Sequence, residues 1–357
     1  MTAGAAFVAM ALSLAACSSS STSTSSTPAT TSSGSASASA GNLSGTLNGS
    51  GSTFQLTYQQ AAIQSFKTVQ PGVTVNYGGG GSGKGRTDLA SGVVQYAGSD
   101  STIPAADQSQ FKGTVLYFPV VIGPISVAYN LSGVTTLKLT PTVIADIFQG
   151  KITNWNNSAI TSINSGVTLP NQAITIAVRS DSSGTTQNFS LFLEKAAPNW
   201  TLGSSSTIKW PGTARAGNGN GGVAQIVKST PGAIGYVDYS DAKATGLSSA
   251  EVQNKAGNYV APSPESATAA ADGTTVEPNL TFHAVWAPGA QAYPITYQSW
   301  DLVIQSQSNA NTTKMLQAYI GYLLGPGQSI LSGLGYAPLP AGLDAQAKAQ
   351  LDKIGSA

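Results

Sequence analysis

Ile174-Thr-Ile-Ala-Val178 runs directly into Arg179-Ser-Asp-Ser-Ser-Gly-Thr185 and then into Gln187-Asn-Phe-Ser-Leu-Phe-Leu193. The first piece is short, apolar and β-branched, which predicts a strand; the last spaces its apolar residues for a helix. A turn of this kind, from strand to helix through Ser and Gly, is the repeating joint of an α/β protein. The alternation extends in both directions. Val73-Thr-Val-Asn-Tyr77, Val120-Val-Ile122 and Ile125-Ser-Val-Ala-Tyr129 read as strands, whereas Tyr58 to Val69 sets Ala61, Ala62, Ser65 and Phe66 in helical register. Thr140-Pro-Thr-Val-Ile-Ala-Asp-Ile-Phe148 opens with an N-cap and a proline at the first helical position. The fold class is therefore α/β with mainly parallel sheets. Ser248 to Pro278, rich in Ala, Ser, Thr and Pro, reads as irregular surface structure.

A chain of 357 residues suits two such lobes once a leader and a tether are set aside. Charged residues are only 9% of it and the formal net charge is +1, so no global field draws nucleic acid or an anionic membrane. Any anion site must be built locally. The single cysteine, Cys17, excludes an intrachain disulfide, and the single histidine, His283, excludes a His-based triad and a multi-His metal site, so no metal or cofactor is called for. Cys17 follows the apolar run Phe7 to Leu14 and the small residues Ala15 and Ala16, the layout of a signal peptide over residues 1–16, although no Lys or Arg precedes the run. Leu14-Ala-Ala-Cys17 resembles the lipobox of bacterial lipoproteins, which implies a diacylglycerol and palmitate anchor on the Cys17 thiol. Residues 17–48 are then almost all Ser, Thr, Ala and Gly, too poor in apolar surface to offset their ordering entropy, and read as a flexible tether open to O-glycosylation. The expected protein is extracytoplasmic, joined to the membrane by its lipid alone.

Three stretches place anion-binding groups where a strand yields to a helix. Gly49-Ser-Gly-Ser-Thr53-Phe54 can aim backbone N–H groups and the Thr53 hydroxyl. Tyr77-Gly-Gly-Gly-Gly-Ser82-Gly-Lys84-Gly-Arg86 nearly matches a P-loop from Gly78 to Lys84, but Gly85 stands where that loop needs a metal-binding hydroxyl; its glycines are read as letting the chain approach a small oxyanion, with Ser82 as donor. In the third stretch Ser183 and Thr185 offer hydroxyls, Gly184 a backbone N–H and Arg179 a planar fork, with Asp181 placed to orient the Arg. A fourth element, Tyr96-Ala-Gly-Ser-Asp100, ends a short strand in a carboxylate. A carboxylate suits an anion site when the anion carries a proton, as inorganic phosphate does at neutral pH and sulfate does not. The bland alternative is that Asp100 caps a turn.

With these residues in place, the chain resembles the phosphate-binding proteins of the phosphate-specific ABC transport system over most of residues 45–340. The motifs that carry the resemblance are Gly51-Ser-Thr-Phe54, Tyr77 to Gly85, Ala97-Gly-Ser-Asp100, Phe118-Pro-Val-Val-Ile-Gly-Pro124, Asp146-Ile-Phe-Gln-Gly-Lys-Ile-Thr-Asn-Trp155, Arg179 to Thr185, Pro231-Gly-Ala-Ile-Gly-Tyr-Val237 and Tyr293-Pro-Ile-Thr296. The resemblance implies ligand contacts from Thr53, the Phe54 backbone N–H, Ser82, Asp100, Arg179, Ser183, Gly184 and Thr185. It implies the bilobal periplasmic-binding-protein fold of type II, with residues 49–122 and 289–357 in lobe one, 123–288 in lobe two, and crossings near Gly123 and Pro288. It also implies a non-enzymatic monomer that hands phosphate to ABC permease subunits. Lys84 and Arg86 depart from the usual form of the Gly-rich loop, and the sequence leaves open whether either reaches the anion. Two rivals remain at this level, a binding protein for another oxyanion and a secreted phosphatase, the second lacking a metal cluster or a nucleophile paired with a base. His283 is read as structural, and Trp155, Trp210, Trp286 and Trp300 as packing anchors.

Overall fold

In the computed structural model, which describes residues 43–272 and 274–356, the chain alternates strands and helices about one continuous sheet. The leader, Cys17 and the tether as far as residue 42 lie outside the described residues. The main strands are β1 (Gly45–Gly51), β2 (Val73–Gly80), β3 (Tyr96–Ser99), β4 (Val115–Tyr129), β5 (Thr175–Arg179), β6 (Arg215–Gly217), β7 (Ala233–Asp238) and β8 (Thr296–Ile304). They lie in the order β2-β1-β3-β8-β4-β7-β5-β6. Pairing is parallel within β2-β1-β3 and within β7-β5-β6, and antiparallel at β3-β8, β8-β4 and β4-β7. Two parallel α/β units are thus joined by two long antiparallel strands.

The junction is written into β4. Its residues Val115 to Pro124 pair with β8, and Ile125 to Tyr129 pair with β7. The sequence suggested two strands here because prolines interrupt the apolar run; the structure has one. Pro119 sits beside the register shift opposite Ser299 and Trp300, and Pro124 stands where the partner changes, the two kinds of place where a missing N–H costs a sheet least.

The helices that matter for the site are α1 (Leu56–Val69), α2 (Ser82–Ala90), α3 (Pro141–Phe148), α4 (Gly184–Ala196), α5 (Gly219–Ser229) and α6 (Pro264–Ala271). Helix α1 buries Tyr58, Gln59, Ala62 and Phe66, four residues on one face of a 3.6-residue period. The start of α3 is capped by the Thr140 hydroxyl, which accepts from the Val143 N–H at 3.2 Å, and that of α4 by Ser183, which accepts from Thr186 at 3.1 Å. Helix α6 corrects the reading of Ser248 to Pro278 as irregular. Ser263 and Ser266 form a capping box with Pro264 at the first helical position, and short strands at Ser248–Ser249, Glu251–Gln253 and Tyr259–Val260 precede it. Ala250, Val252, Ala267 and Ala270 are fully buried there; alanine fills a tight interface while giving a weak apolar pattern in the sequence.

Trp155 and Trp300 are fully buried, and their indole N–H groups donate to the carbonyls of Gly232 at 2.9 Å and Leu280 at 3.0 Å. Trp210 and Trp286 pack on the same core from its edge, whereas His283 lies at the surface. The parallel strands β1, β2, β3, β5 and β6 all run toward one crevice, and every stretch singled out above follows the carboxyl end of one of them.

Candidate functional site

The joint after β3 sets Asp100 inside the crevice, 2% exposed. Its Oδ1 accepts from the hydroxyls of Ser52 and Ser299, each at 2.5 Å, and its Oδ2 accepts from Ser82 at 3.2 Å. The proton direction is fixed at Ser52, whose oxygen already accepts from the N–H groups of Phe54 at 3.1 Å and Gln55 at 3.3 Å, so its single proton goes to Asp100. Burial pushes the Asp100 carboxyl up; the hydroxyls of Ser299 and Ser52, the charge of Arg179 and the Ser82 hydroxyl pull it partly back, and it ends above the usual carboxylate range.

Facing it is the joint after β5. The Arg179 guanidinium is held fork to fork by Asp181, through Nε to Oδ1 at 2.8 Å and through Nη2 to Oδ2, while Nη1 reaches the Thr185 hydroxyl at 3.3 Å. Burial would raise Asp181, but the hydrogen bonds and charge of Arg179 and the Gly219 N–H outweigh it, holding the carboxyl below its usual range. The arginine is therefore aimed by an ionised partner. Ser183, Gly184 and Thr185 open α4, whose first-turn N–H groups have no intrahelical carbonyl to bind.

The two sides touch. A Cβ built on Gly184 would fall 2.5 Å from the Asp100 Cβ and from the Ser82 Oγ, one on Gly83 would fall 2.2 Å from the Ser182 Oγ, and one on Gly81 would strike Asp181. The Gly83 N–H donates to the Ser182 carbonyl at 3.1 Å, and Asn188 Nδ2 to the Asp100 carbonyl at 2.7 Å. Of the glycines of the second stretch, read from the sequence as letting the chain approach a small oxyanion, Gly81 and Gly83 also make room for the opposite joint, whereas Gly85 packs on the backbone of Ser50, Gly51 and Gly98. Strand β2 also runs through Gly80, so Ser82 is the first residue of α2. Thr53, Ser82, Asp100, Arg179, Ser183 and Thr185 are all buried, and a cleft of about 440 Å³ lined by Thr53, Asn220 and Asp241 and another of about 250 Å³ lined by Arg86, Asp100 and Asn188 lie against them.

Three more groups of these stretches find partners within the protein. The Phe54 N–H, expected to face the ligand, is engaged by the Ser52 hydroxyl, while the fully buried Phe54 ring lies 4.1 Å from Tyr297 and edge-on to Tyr336 at 5.1 Å. Lys84 points away, pairing with Asp88 one helical turn on, at 2.5 Å. Arg86 is buried behind Asp100, donating to Ser99 at 3.1 Å and Ser101 at 2.8 Å. Sequence reasoning missed Ser52, Ser299 and Asn220. Asn220 bridges the crevice, with its Nδ2 at 3.3 Å from the hydroxyl oxygens of both Thr53 and Thr185. Its signal was present, since Gly217-Asn-Gly-Asn-Gly-Gly222 is another Gly-rich joint before a helix. Ser299 sits mid-strand in β8 and has no local signal at all.

The residues 23–326 match the model of the PBP superfamily domain. The chain is 36% identical to the phosphate-binding protein PstS of Pasteurella multocida over 301 residues, covering 83% of this chain and 86% of that one. The chain belongs to the PstS family. It is also 34% identical over 309 residues to the phosphate-binding protein PstS 3 of Mycobacterium leprae, with 83% of each covered. A solved high-affinity periplasmic phosphate-binding protein with phosphate bound superposes with a TM-score of 0.71 at 23% identity, covering 86% of this chain and 94% of that one. The architecture is that of the family, a bilobal periplasmic-binding-protein fold of type II, with β4 the strand that pairs first with β8 and then with β7.

Proposed function

We propose that this chain captures inorganic phosphate outside the cytoplasm and delivers it to the permease subunits of an ABC importer, as a carrier and not an enzyme. The observation that carries the reading is the asymmetry of Asp100. Two short serine hydrogen bonds fill Oδ1, whereas among the described residues Oδ2 meets only Ser82, so Asp100 keeps one acceptor opposite the hydroxyl and guanidinium donors of the facing joint. A tetrahedral anion that keeps a proton satisfies such a site; one without a proton sets acceptor against acceptor. Thr53, Ser82, Arg179, Ser183, Gly184 and Thr185 supply donors on the remaining sides. Charged hydrogen bonds contribute roughly 1.5–3 kcal/mol each, and several together are needed to offset the desolvation of a buried anion.

Because the donors come from both sides of the crevice, the ligand gains its full contacts only when the lobes are closed, and binding shifts the open–closed equilibrium by that difference. The crossings near Gly123 and Pro288 serve as the hinges between residues 49–122 with 289–357 and residues 123–288; the change of partner of β4 after Pro124 supports the first. No helix among the described residues is long and apolar enough to cross a membrane. The Cys17 lipid anchor and the tether, which is shorter than 17–48 because β1 already begins at Gly45, hold a monomer near the permease, a reading supported by the lipobox-like Leu14 to Cys17. Calorimetric titration of the delipidated chain with phosphate and with sulfate tests the assignment. Saturable phosphate binding with sulfate at least about a hundredfold weaker is expected from losing one hydrogen bond and gaining one repulsion; equal affinities would overturn it.

A further inference from the structure

A file of polar side chains leads away from Asp100 into the core of the β1-β2-β3 unit. Ser299, which donates to Asp100 Oδ1 at 2.5 Å, accepts from Gln55 Nε2 at 2.7 Å. Gln55 Nε2 also donates to the Trp300 carbonyl at 2.9 Å, and Gln55 Oε1 accepts from Gln59 Nε2 at 2.9 Å. Gln59 Nε2 donates in turn to both oxygens of Asp301, at 3.2 and 3.0 Å, while Gln59 Oε1 accepts from Tyr319 at 2.6 Å. Gln55, Gln59, Ser299 and Asp301 are each 0% exposed, so no water can stand in for a lost partner.

The file has a direction. A carboxyl group, which keeps an acceptor oxygen whether or not it holds a proton, and a peptide carbonyl stand at Asp301 and Trp300, so each glutamine turns its amide nitrogen toward them. Gln55 then presents a donor to Ser299, and of the two acceptors near the Ser299 proton Asp100 Oδ1, at 2.5 Å, is far closer than the Ser99 carbonyl, at 3.4 Å.

We propose that Asp301 is a positioning residue for anion binding: acting through Gln59, Gln55 and Ser299, it keeps Asp100 Oδ1 saturated with donors and leaves Oδ2 as the acceptor for the proton of the ligand. Asp301 touches no ligand and sits in a core of tyrosines and glutamines, where burial pushes its carboxyl up to about 7 against the pull of Gln59 and Gln55. A carboxyl held at that cost, three side chains away from Asp100, serves the polarity of the file. The inference rests on the phosphate reading and concerns how the specificity of that site is maintained.

A double-mutant cycle tests it, with phosphate affinity measured by calorimetry for the full chain, Asp301→Asn, Ser299→Ala and the pair. A carboxamide at 301 offers donors as well as an acceptor and frees Gln59 to turn, so Asp301→Asn is expected to weaken binding about fivefold or more, on the scale of part of one charged hydrogen bond. In the Ser299→Ala background the same change is expected to cost less than about twofold, because the file no longer reaches Asp100. Equal losses in both backgrounds, or no loss in either, overturn the proposal. If Asp301→Asn does not fold, Gln59→Met cuts the same file one residue nearer the site and takes its place in the cycle with the same criteria. Failure of the unaltered chain to bind phosphate would instead sink the functional reading.

Discussion

At the scale of the residue, Asp100 decides which oxyanion the crevice accepts. Replacing it with asparagine keeps the shape but turns one acceptor oxygen into a donor, so the proton of phosphate loses its partner while sulfate loses the carboxylate that repels it. Asp100→Asn is expected to lower the preference for phosphate over sulfate by at least about tenfold, read from competitive calorimetry. An unchanged ratio would place discrimination elsewhere. Arg179 has a different part, since Asp181 holds two of its nitrogens and leaves Nη1 turned toward Thr185 and the crevice. Both residues were legible in the sequence because each closes a strand, where a side chain projects beyond the sheet edge. Ser299 was not legible, because a serine within a strand reads the same whether it faces solvent or a carboxylate.

At the scale of the element, the site is a set of strand-to-helix joints brought edge to edge, and glycine is what lets them meet. Gly184 has ordinary backbone angles, so alanine there strains nothing locally; its methyl group would instead strike Asp100 and Ser82 across the crevice. Gly184→Ala is therefore expected to weaken phosphate binding at least about tenfold while leaving the urea midpoint of the ligand-free chain nearly unchanged. Small-angle scattering with excess phosphate should then keep the larger radius of the open form. A variant that binds and contracts normally would show that α4 does not approach the opposite joint in solution. The missed helix α6 belongs to this scale too: the Ser263–Ser266 capping box and Pro264 announced its start, but an alanine-rich body gave too little apolar contrast to be read as amphipathic.

At the scale of the whole molecule, buried carboxyls tie stability to pH. Burial pushes Asp301 up to about 7 against the hydrogen bonds of Gln59 and Gln55, and Asp241 up to about 6 against the charge of Arg179. Both folded values exceed the ordinary 3.8, so between about pH 4 and 7 the folded chain holds protons that the unfolded chain releases. Their contribution to stability is thus largest at the acid end of that window and is lost as pH rises through it. Ligand-free chain carrying Asp301→Asn is expected to lose less stability between pH 5 and pH 8 than the unaltered chain, measured by urea unfolding at each pH. Identical losses would mean that Asp301 titrates as an ordinary surface carboxyl.

The sequence by itself determined the α/β class, the joints at Gly49 to Phe54, Tyr77 to Arg86, Tyr96 to Asp100 and Arg179 to Thr185, and the chemistry each offers, because strand period, cap and glycine are local properties of a few neighbouring residues. Only the tertiary structure decided that β4 is one strand shared by two sheet units, that Gly81, Gly83 and Gly184 admit the opposite joint, and that Ser52, Ser299 and Asn220 complete the crevice. The reason is separation along the chain. Ser299 lies 199 residues from Asp100 and Asn220 lies 167 from Thr53, and contacts over such distances are fixed by how whole elements pack, which no local pattern records.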